Sequence, residues 1–260
     1  MSPIDRVVIL TGATQGIGLA SAQLLAEAGC RLALAARSVE ALHRLSNRLN
    51  AAGYQTIAVP ADLADPAQAA ALVAKTVRVF GRLDVVINNA AVGLRDLVAD
   101  LKEPEHRRTF EVNYFGPVAL IQAALPPFRA NPGGGLIINI SSIVGRRAMP
   151  GIGGYCASKG ALQNLADSLR VELAREQIRV STIYPGVTAT RFNDHSLGGS
   201  DLGRGRLAGV PPERVARAIL RTIEREPRDV YITLFDRLFV TVSLIWPGLM
   251  DRLLSWRYRL

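Results

Sequence analysis

Lysine is nearly missing from this chain. Only Lys75, Lys102 and Lys159 are lysines among 31 basic residues, and arginine scattered along all 260 residues carries the rest of a net charge of +9. No lysine tail, RNA-binding aromatic signature or zinc-finger spacing accompanies that charge. Nucleic acid is therefore not an expected partner, and a solvated Arg-rich surface or an anionic membrane fits better. Cysteine is as scarce. Cys30 and Cys156 lie far apart, which excludes a disulfide framework and fits a reducing compartment. His43, His106 and His195 lack metal-ligand spacing, so no metal is expected. The opening M-S-P-I-D-R runs straight into a strand pattern without a charged segment and apolar core, so a cytoplasmic location is expected. Repeats and low-complexity tracts are absent.

What is present is apolar alternation. Hydrophobic residues make up 49% of the chain, enough for one large α/β domain. Apolar runs at 6–10, 31–36, 54–59, 83–88, 136–140, 178–184 and 230–233 read as strands. Helical periodicity fills the intervals at 19–29, 39–52, 65–80, 104–129, 154–176 and 212–224. Strands alternating with helices imply a three-layer α/β/α fold. Its centre is a doubly wound parallel sheet of about seven strands, of Rossmann type. Ligands in such sheets bind outside the carboxyl ends of the strands, where the polar motifs of this chain fall.

The first of these motifs is Thr11-Gly12-Ala13-Thr14-Gln15-Gly16-Ile17-Gly18, between the first strand and the first helix. Glycines let backbone approach a pyrophosphate, and the helix N-terminus supplies free N–H groups and a favourable dipole. The spacing is G-x-x-x-G-x-G, not the general G-x-G-x-x-G. The second strand ends in Arg37-Ser38, with no carboxylate before Glu40. A carboxylate there would hold the ribose 2′-hydroxyl of NAD, whereas an Arg accommodates the 2′-phosphate of NADP. NADP(H) is the expected cofactor, with NAD(H) as the alternative. Asp62 and Leu63 follow the third strand, where they can hold an adenine amino group; a helix-capping turn explains them equally. Asn88, Asn89 and Ala90 end the fourth strand, where amides can fix the strand end and border a cofactor.

The stretch from Asn139 to Leu162 gathers a hydroxyl, a phenol and an ammonium. Tyr155 and Lys159 are four apart and share one helix face, and Ser142 precedes Tyr155 at the mouth of a strand. A free phenol has a pKa of about 10. A neighbouring ammonium is expected to lower it. Ser141, next to Ser142, is expected to face the other side, and Cys156 to be packing. Asn113 lies inside a helical stretch, where Asn is mildly disfavoured, so it invites either a functional or a packing role.

Together these motifs resemble the short-chain dehydrogenase/reductase superfamily over about the first 190 residues. The resemblance rests on Thr11, Gly12, Gly16 and Gly18; on Asn88-Asn89-Ala90 with Ala91 in place of a glycine; on Asn113, Ser142, Tyr155 and Lys159; and on Pro185-Gly186 followed by Thr188 and Thr190. It implies hydride transfer between a nicotinamide and a carbinol carbon. Tyr155 would be the general acid or base. Lys159 would lower its pKa and bind the ribose, Ser142 would polarise the substrate oxygen, and Asn113 would hold a water linking Lys159 to solvent. Thr14, Gln15, Ile17, Pro185, Gly186, Thr188 and Thr190 would complete the cofactor site. Gln15 stands where some NADP-using members carry a basic residue, so the NADP reading rests on Arg37.

Residues 1–233 read as the catalytic domain, with a Gly- and Arg-rich substrate loop at 191–212 that is expected to be mobile. Residues 234–260 are apolar and basic, and would pack on the domain, on a partner subunit of a homo-oligomer, or on a membrane surface. The function expected is NADP(H)-dependent interconversion of a secondary alcohol and a ketone. The small-molecule substrate is expected to be hydrophobic, of lipid, steroid, retinoid or acyl type. A cofactor-binding scaffold or sensor with little chemistry is the competing reading.

Overall fold

A computed structural model describes residues 2–200 and 209–258. Seven parallel strands form one sheet: β1 (Val7–Thr11), β2 (Arg31–Ala36), β3 (Thr56–Pro60), β4 (Val85–Asn88), β5 (Gly135–Ile140), β6 (Ile178–Tyr184) and β7 (Asp229–Tyr231). Their order is β3-β2-β1-β4-β5-β6-β7. The order reverses between β1 and β4, which pair directly through Val8–Val85, Ile9–Val86 and Leu10–Ile87. Loops leaving neighbouring strands there diverge to opposite faces and open a crevice.

Both faces of the sheet are covered, which explains why its strands read as continuous apolar runs. Val8, Leu10, Leu32, Leu34, Ile87 and Ile138 point to one core, and Val7, Ile9, Ala33, Val86 and Ile137 to the other. The first core is closed by α1 (Gly16–Glu27), α2 (Val39–Ala51) and α7 (Pro212–Arg225), which supply Leu25, Leu42, Leu45, Ile219 and Ile223. The second is closed by α3 (Pro66–Phe80), α5 (Gly116–Ala130) and α6 (Gly153–Glu172), through Leu72, Leu120, Ala166 and Leu169. Asp65 starts α3 by accepting the Ala67 N–H at 2.9 Å, ahead of Pro66 at the first helical position.

One expectation needs correction. The helical stretch at 104–129 is not one regular helix: α4 (Glu103–Phe110) passes through a π-helical turn, Glu111–Phe115, into α5. Pro117 lacks the N–H that an α-helix would offer to the Asn113 carbonyl, so regular bonding fails there. The first part of the loop at 191–212 has local structure of its own. Residues Arg191–His195 form a 3₁₀ turn, and Leu197 exchanges backbone bonds with Gly93 (2.8 Å) and Arg95 (2.9 Å). Residues 201–208 of that loop lie outside the described residues. The segment after β7 forms two helices, α8 (Leu234–Ile245) and α9 (Pro247–Tyr258), bent by 114° at Trp246–Pro247.

Candidate active site

The glycine loop is fastened to the end of β4 by side chains. Thr11 Oγ1 donates to the Ile87 carbonyl (3.1 Å) and accepts the N–H groups of Asn89 (2.9 Å) and Ala90 (3.0 Å). Asn89 Nδ2 donates back to the Thr11 carbonyl at 2.8 Å. The side chains of Thr11 and Asn89 thus shape the loop by bonding protein. Gly12 has φ +65°, and a Cβ there would lie 2.9 Å from Ala90 Cα. A Cβ on Gly18 would lie 2.0 Å from the Gly12 carbonyl oxygen. Gln15 precedes α1 in an extended conformation and makes no side-chain cap, so the first-turn N–H groups remain available to an anion. Thr190, beyond the Pro185-Gly186 turn, packs against Gly16 from the other side.

Beside this loop lies a cleft of about 530 Å³, at the point where the strand order reverses. Thr11, Gly12, Thr14, Gln15, Arg37, Ser38, Asp62, Leu63 and Ala90 line it. Arg37 and Ser38 are exposed at its rim. The side chain of Ile17 packs on the apolar core, while its backbone lies in the first turn of α1. Asp62 is held by Arg108 at 2.5 Å and caps its own turn by accepting the Ala64 N–H at 3.1 Å. Burial acts to raise the Asp62 pKa, but the Arg108 bond, the Ala64 N–H and the charges of Arg108 and Arg37 outweigh it and hold the carboxyl below its ordinary value. Asp62 is therefore ionised at neutral pH and already bonded to a cation.

The second cluster sits farther along the same edge of the sheet. Ser142, just past β5, donates to the Pro185 carbonyl (3.2 Å) and accepts the Val144 N–H (3.3 Å), so strand end and β6 turn are tied together. Ser141 points away into the core, 3.3 Å from the Lys159 carbonyl. Lys159 is buried, and its Nζ donates to the Ile140 carbonyl at 2.8 Å. The same Nζ lies 6.0 Å from the centroid of the Tyr155 ring. Burial lowers Lys159 to about 8, which leaves it mostly charged at neutral pH. The lowering expected for Tyr155 is not found. Tyr155 keeps partial exposure, yet burial pushes its phenol above the ordinary value, and Lys159 does not offset it in this arrangement. The ammonium is engaged by the Ile140 carbonyl instead.

Asn113 is buried on the π-helical turn. Its Oδ1 accepts the Val92 N–H and its Nδ2 donates to the Val92 carbonyl, both at 2.9 Å, and Nδ2 also reaches Ser158 Oγ at 3.0 Å. The oxygen and the nitrogen of the amide thus both bond protein. The backbone carbonyl, which Pro117 leaves without its α-helical donor, offers a further acceptor for the water expected there.

Reasoning from the sequence missed three residues. Ser158 links Asn113 to the Tyr155 carbonyl, to which it donates at 2.7 Å. A serine three residues after Tyr155 and next to Lys159 in a helix was the available signal. Phe192 stacks at a tilt against Tyr155, with centroids 5.7 Å apart. His195, set aside for want of metal spacing, lines the cleft opposite the glycine loop. Both lie on the 3₁₀ turn that packs over the site, a long-range placement that periodicity does not show.

The model of the short chain dehydrogenase family matches residues 6–198. The chain belongs to the short-chain dehydrogenase/reductase family. Among its relatives is the mouse dehydrogenase/reductase SDR family member 7B, 36% identical over 98% of this chain and 82% of that one. The uncharacterized oxidoreductase YxnA of Bacillus subtilis is 34% identical over 96% of this chain and 72% of its own. Among solved structures, an alcohol dehydrogenase from the archaeon Thermococcus sibiricus, complexed with 5-hydroxy-NADP, aligns with a TM-score of 0.76 at 29% identity, covering 87% of this chain and 94% of that one. A short chain dehydrogenase from Burkholderia cenocepacia in complex with NADP aligns with a TM-score of 0.82 at 25% identity, covering 98% and 99%. A family member from Burkholderia phymatum in complex with NAD shares the fold, with a TM-score of 0.87 at 24% identity over 96% of each chain.

As a short-chain dehydrogenase/reductase, the protein is an oxidoreductase that uses a nicotinamide dinucleotide and acts on CH–OH groups of a small molecule. Its cleft fits such a cofactor. The two glycines leave no room for a Cβ on the backbone that forms its floor, the α1 N-terminus is uncapped, and the cleft lies at the reversal of strand order.

Proposed function

We propose that this enzyme prefers NADP(H) and interconverts a hydrophobic secondary alcohol and its ketone. The observation that carries the cofactor preference is Arg37. It stands exposed at the rim of the cleft after β2, with no carboxylate before Glu40. Thr14, Gln15, Arg37, Ser38 and the α1 N-terminus would hold the dinucleotide. When bound, the nicotinamide supplies or accepts the hydride.

The residues of this chain manage the oxygen and its proton. Ser142 Oγ is oriented by Pro185 and Val144 and would bond the substrate oxygen. Tyr155 would donate a proton to that oxygen in reduction and remove it in oxidation. Its raised pKa keeps the phenol protonated at neutral pH, as the acid role requires. The Lys159 charge would stabilise the phenolate left behind once Nζ reaches it. Ser158 and Asn113 hold the Tyr155 backbone to the π-helical turn. The apolar substrate is supported by Phe192, whose ring packs against that of Tyr155.

The test is cofactor oxidation across a carbonyl panel graded in hydrophobicity, with NADPH and NADH compared at each substrate. Faster turnover of apolar ketones with NADPH is expected. Tyr155→Phe should lose about two to four orders of magnitude in turnover number. Equal use of both cofactors, or an unimpaired Tyr155→Phe, would overturn the corresponding half of the reading.

A further inference from the structure

The last two helices are built inside out. Nine of the seventeen exposed large apolar side chains among the described residues fall between Leu234 and Trp256. On α8, Val240 and Ser243 are buried against the domain, while Leu234, Leu238 and Ile245 share the opposite, exposed face. On α9, Met250 and Leu254 are buried, while Leu249, Leu253 and Trp256 recur at helical spacing on the outside, Trp256 at 80% exposure. Monomeric proteins seldom leave contiguous apolar surface of this kind uncovered.

The same helices carry positive charge. Asp236 is buried in a capping box with Thr233, and Asp251 pairs with Arg147 at 2.5 Å. Among the described residues no carboxylate pairs with Arg237, Arg252 or Arg257, and the chain as a whole carries +9. A second copy laid on this face would oppose arginine to arginine, whereas anionic headgroups would neutralise them. Trp246 at the bend and Trp256 near the end of α9 are both exposed, with the ring chemistry favoured at a membrane interface. Each helix has 12 residues, too few to cross a bilayer, and no single described helix is long and apolar enough to do so.

We propose that α8 and α9 form an interfacial docking surface for an anionic lipid bilayer. The exposed apolar faces lie in the headgroup–acyl boundary, and Arg237, Arg252 and Arg257 sit among the phosphates. The surface adjoins the active site. Asp236 Oδ1 occupies the space where a Cβ on Gly186 would go, and Asp251 holds Arg147 on the loop that follows Ser142. A substrate dissolved in the bilayer would thus be near the Pro185-Gly186 turn and the loop that follows Ser142. The docking stands independently of that substrate reading.

The experiment is flotation of the whole purified protein with vesicles of phosphatidylcholine alone and of phosphatidylcholine mixed with phosphatidylserine, without cofactor. Sedimentation reports self-association in parallel. The wild type is expected to float with the mixed vesicles and less with the neutral ones. Leu253→Glu combined with Trp256→Glu should abolish flotation. Arg252→Gln combined with Arg257→Gln should weaken it on the order of thirtyfold, at about 1 kcal/mol per arginine near an anionic surface. Melting temperature and NADPH binding should be unchanged in both variants, which separates lost docking from misfolding. A folded wild type that does not float overturns the proposal. So does flotation that either folded variant retains in full, or lipid-independent self-association that the apolar variant abolishes. Absent NADPH turnover would count only against the proposed reaction, because flotation is read without it.

Discussion

Asn113 donates through Nδ2 to the Ser158 hydroxyl at 3.0 Å, and Ser158 donates in turn to the Tyr155 carbonyl at 2.7 Å. The π-helical turn and α6 are thereby joined by one amide, which also satisfies both backbone groups of Val92. Asn113→Ala would take their bonding partner from the partly buried Val92 N–H and C=O and from the buried Ser158. A loss of about 2–3 kcal/mol is expected, visible as a lower unfolding midpoint in denaturant. If Asn113 positions Tyr155, the turnover number should also fall at temperatures where the variant is fully folded, with NADPH affinity unchanged. A stability loss with the turnover number intact would limit Asn113 to packing. Ser158→Ala should show the same pattern at about 1 kcal/mol, because it removes one link of the chain.

Lys159 makes stability depend on pH in a defined window. Burial lowers its pKa to about 8 from an ordinary 10.5. Below pH 8 both folded and unfolded chains hold the proton, and the full cost of a buried charge is present. Between about 8 and 10.5 the unfolded chain binds more protons than the native one, so stability rises with pH through that interval. Lys159→Met removes the titration. The stability of the wild type relative to this variant should therefore increase from pH 7 to pH 10.5, by up to roughly 3 kcal/mol. Chemical denaturation of both proteins at the two pH values gives the difference, in which other titrations cancel. A difference that stays flat would mean that the lysine is solvated.

The sheet and much of the site were legible because they depend on local signals. The run R-L-A-L-A-A gives β2 at its observed bounds, and Asp65-Pro66 gives the start of α3, since a cap and a proline act within one turn. Gly12 and Gly18 are explained by contacts with Ala90 and with each other's backbone, a close approach that a glycine-rich turn after a strand announces. The bonding of Lys159 to Ile140 was not legible. It depends on where a flexible side chain finds an acceptor, 19 residues away in sequence. The same holds for Phe192 and His195, brought over the site by the pairing of Leu197 with the segment after β4. The exposed faces of α8 and α9 escaped detection because an apolar run does not state which of its sides is covered.

Gly18 offers a test of the loop that needs no substrate. In a helix, Gly→Ala ordinarily stabilises by about 1 kcal/mol. Here the new Cβ would lie 2.0 Å from the Gly12 carbonyl oxygen, so α1 or the loop must move. Gly18→Ala should therefore be destabilised, and NADPH binding followed by fluorescence should weaken by at least an order of magnitude, since a shift of this loop misplaces N–H groups aimed at the phosphates. Gly53→Ala is the control for backbone strain, because φ there is +88° and nothing lies within 4 Å of an added Cβ. It should lose stability but keep its NADPH affinity. Equal loss of binding in both variants would show that strain, not crowding at the loop, is responsible.

The proposed cofactor preference is tested at Arg37. Its guanidinium is exposed beside the cleft, so exchange should cost little stability. A charged hydrogen bond to a phosphate is worth about 1.5–3 kcal/mol, so Arg37→Ala should lower kcat/KM for NADPH by about one to two orders of magnitude and leave NADH nearly unchanged. Arg37→Glu should go further, since it replaces attraction to the 2′-phosphate by repulsion and supplies a carboxylate for the ribose hydroxyls of NADH. The readout is the ratio of kcat/KM for the two cofactors, which cancels effects on overall folding and on the Tyr155 end of the site. The effect should also shrink with added salt if it is electrostatic, because the side chain is open to solvent. A ratio that does not change in either variant would place the 2′-phosphate elsewhere and remove the basis for an NADP(H) preference.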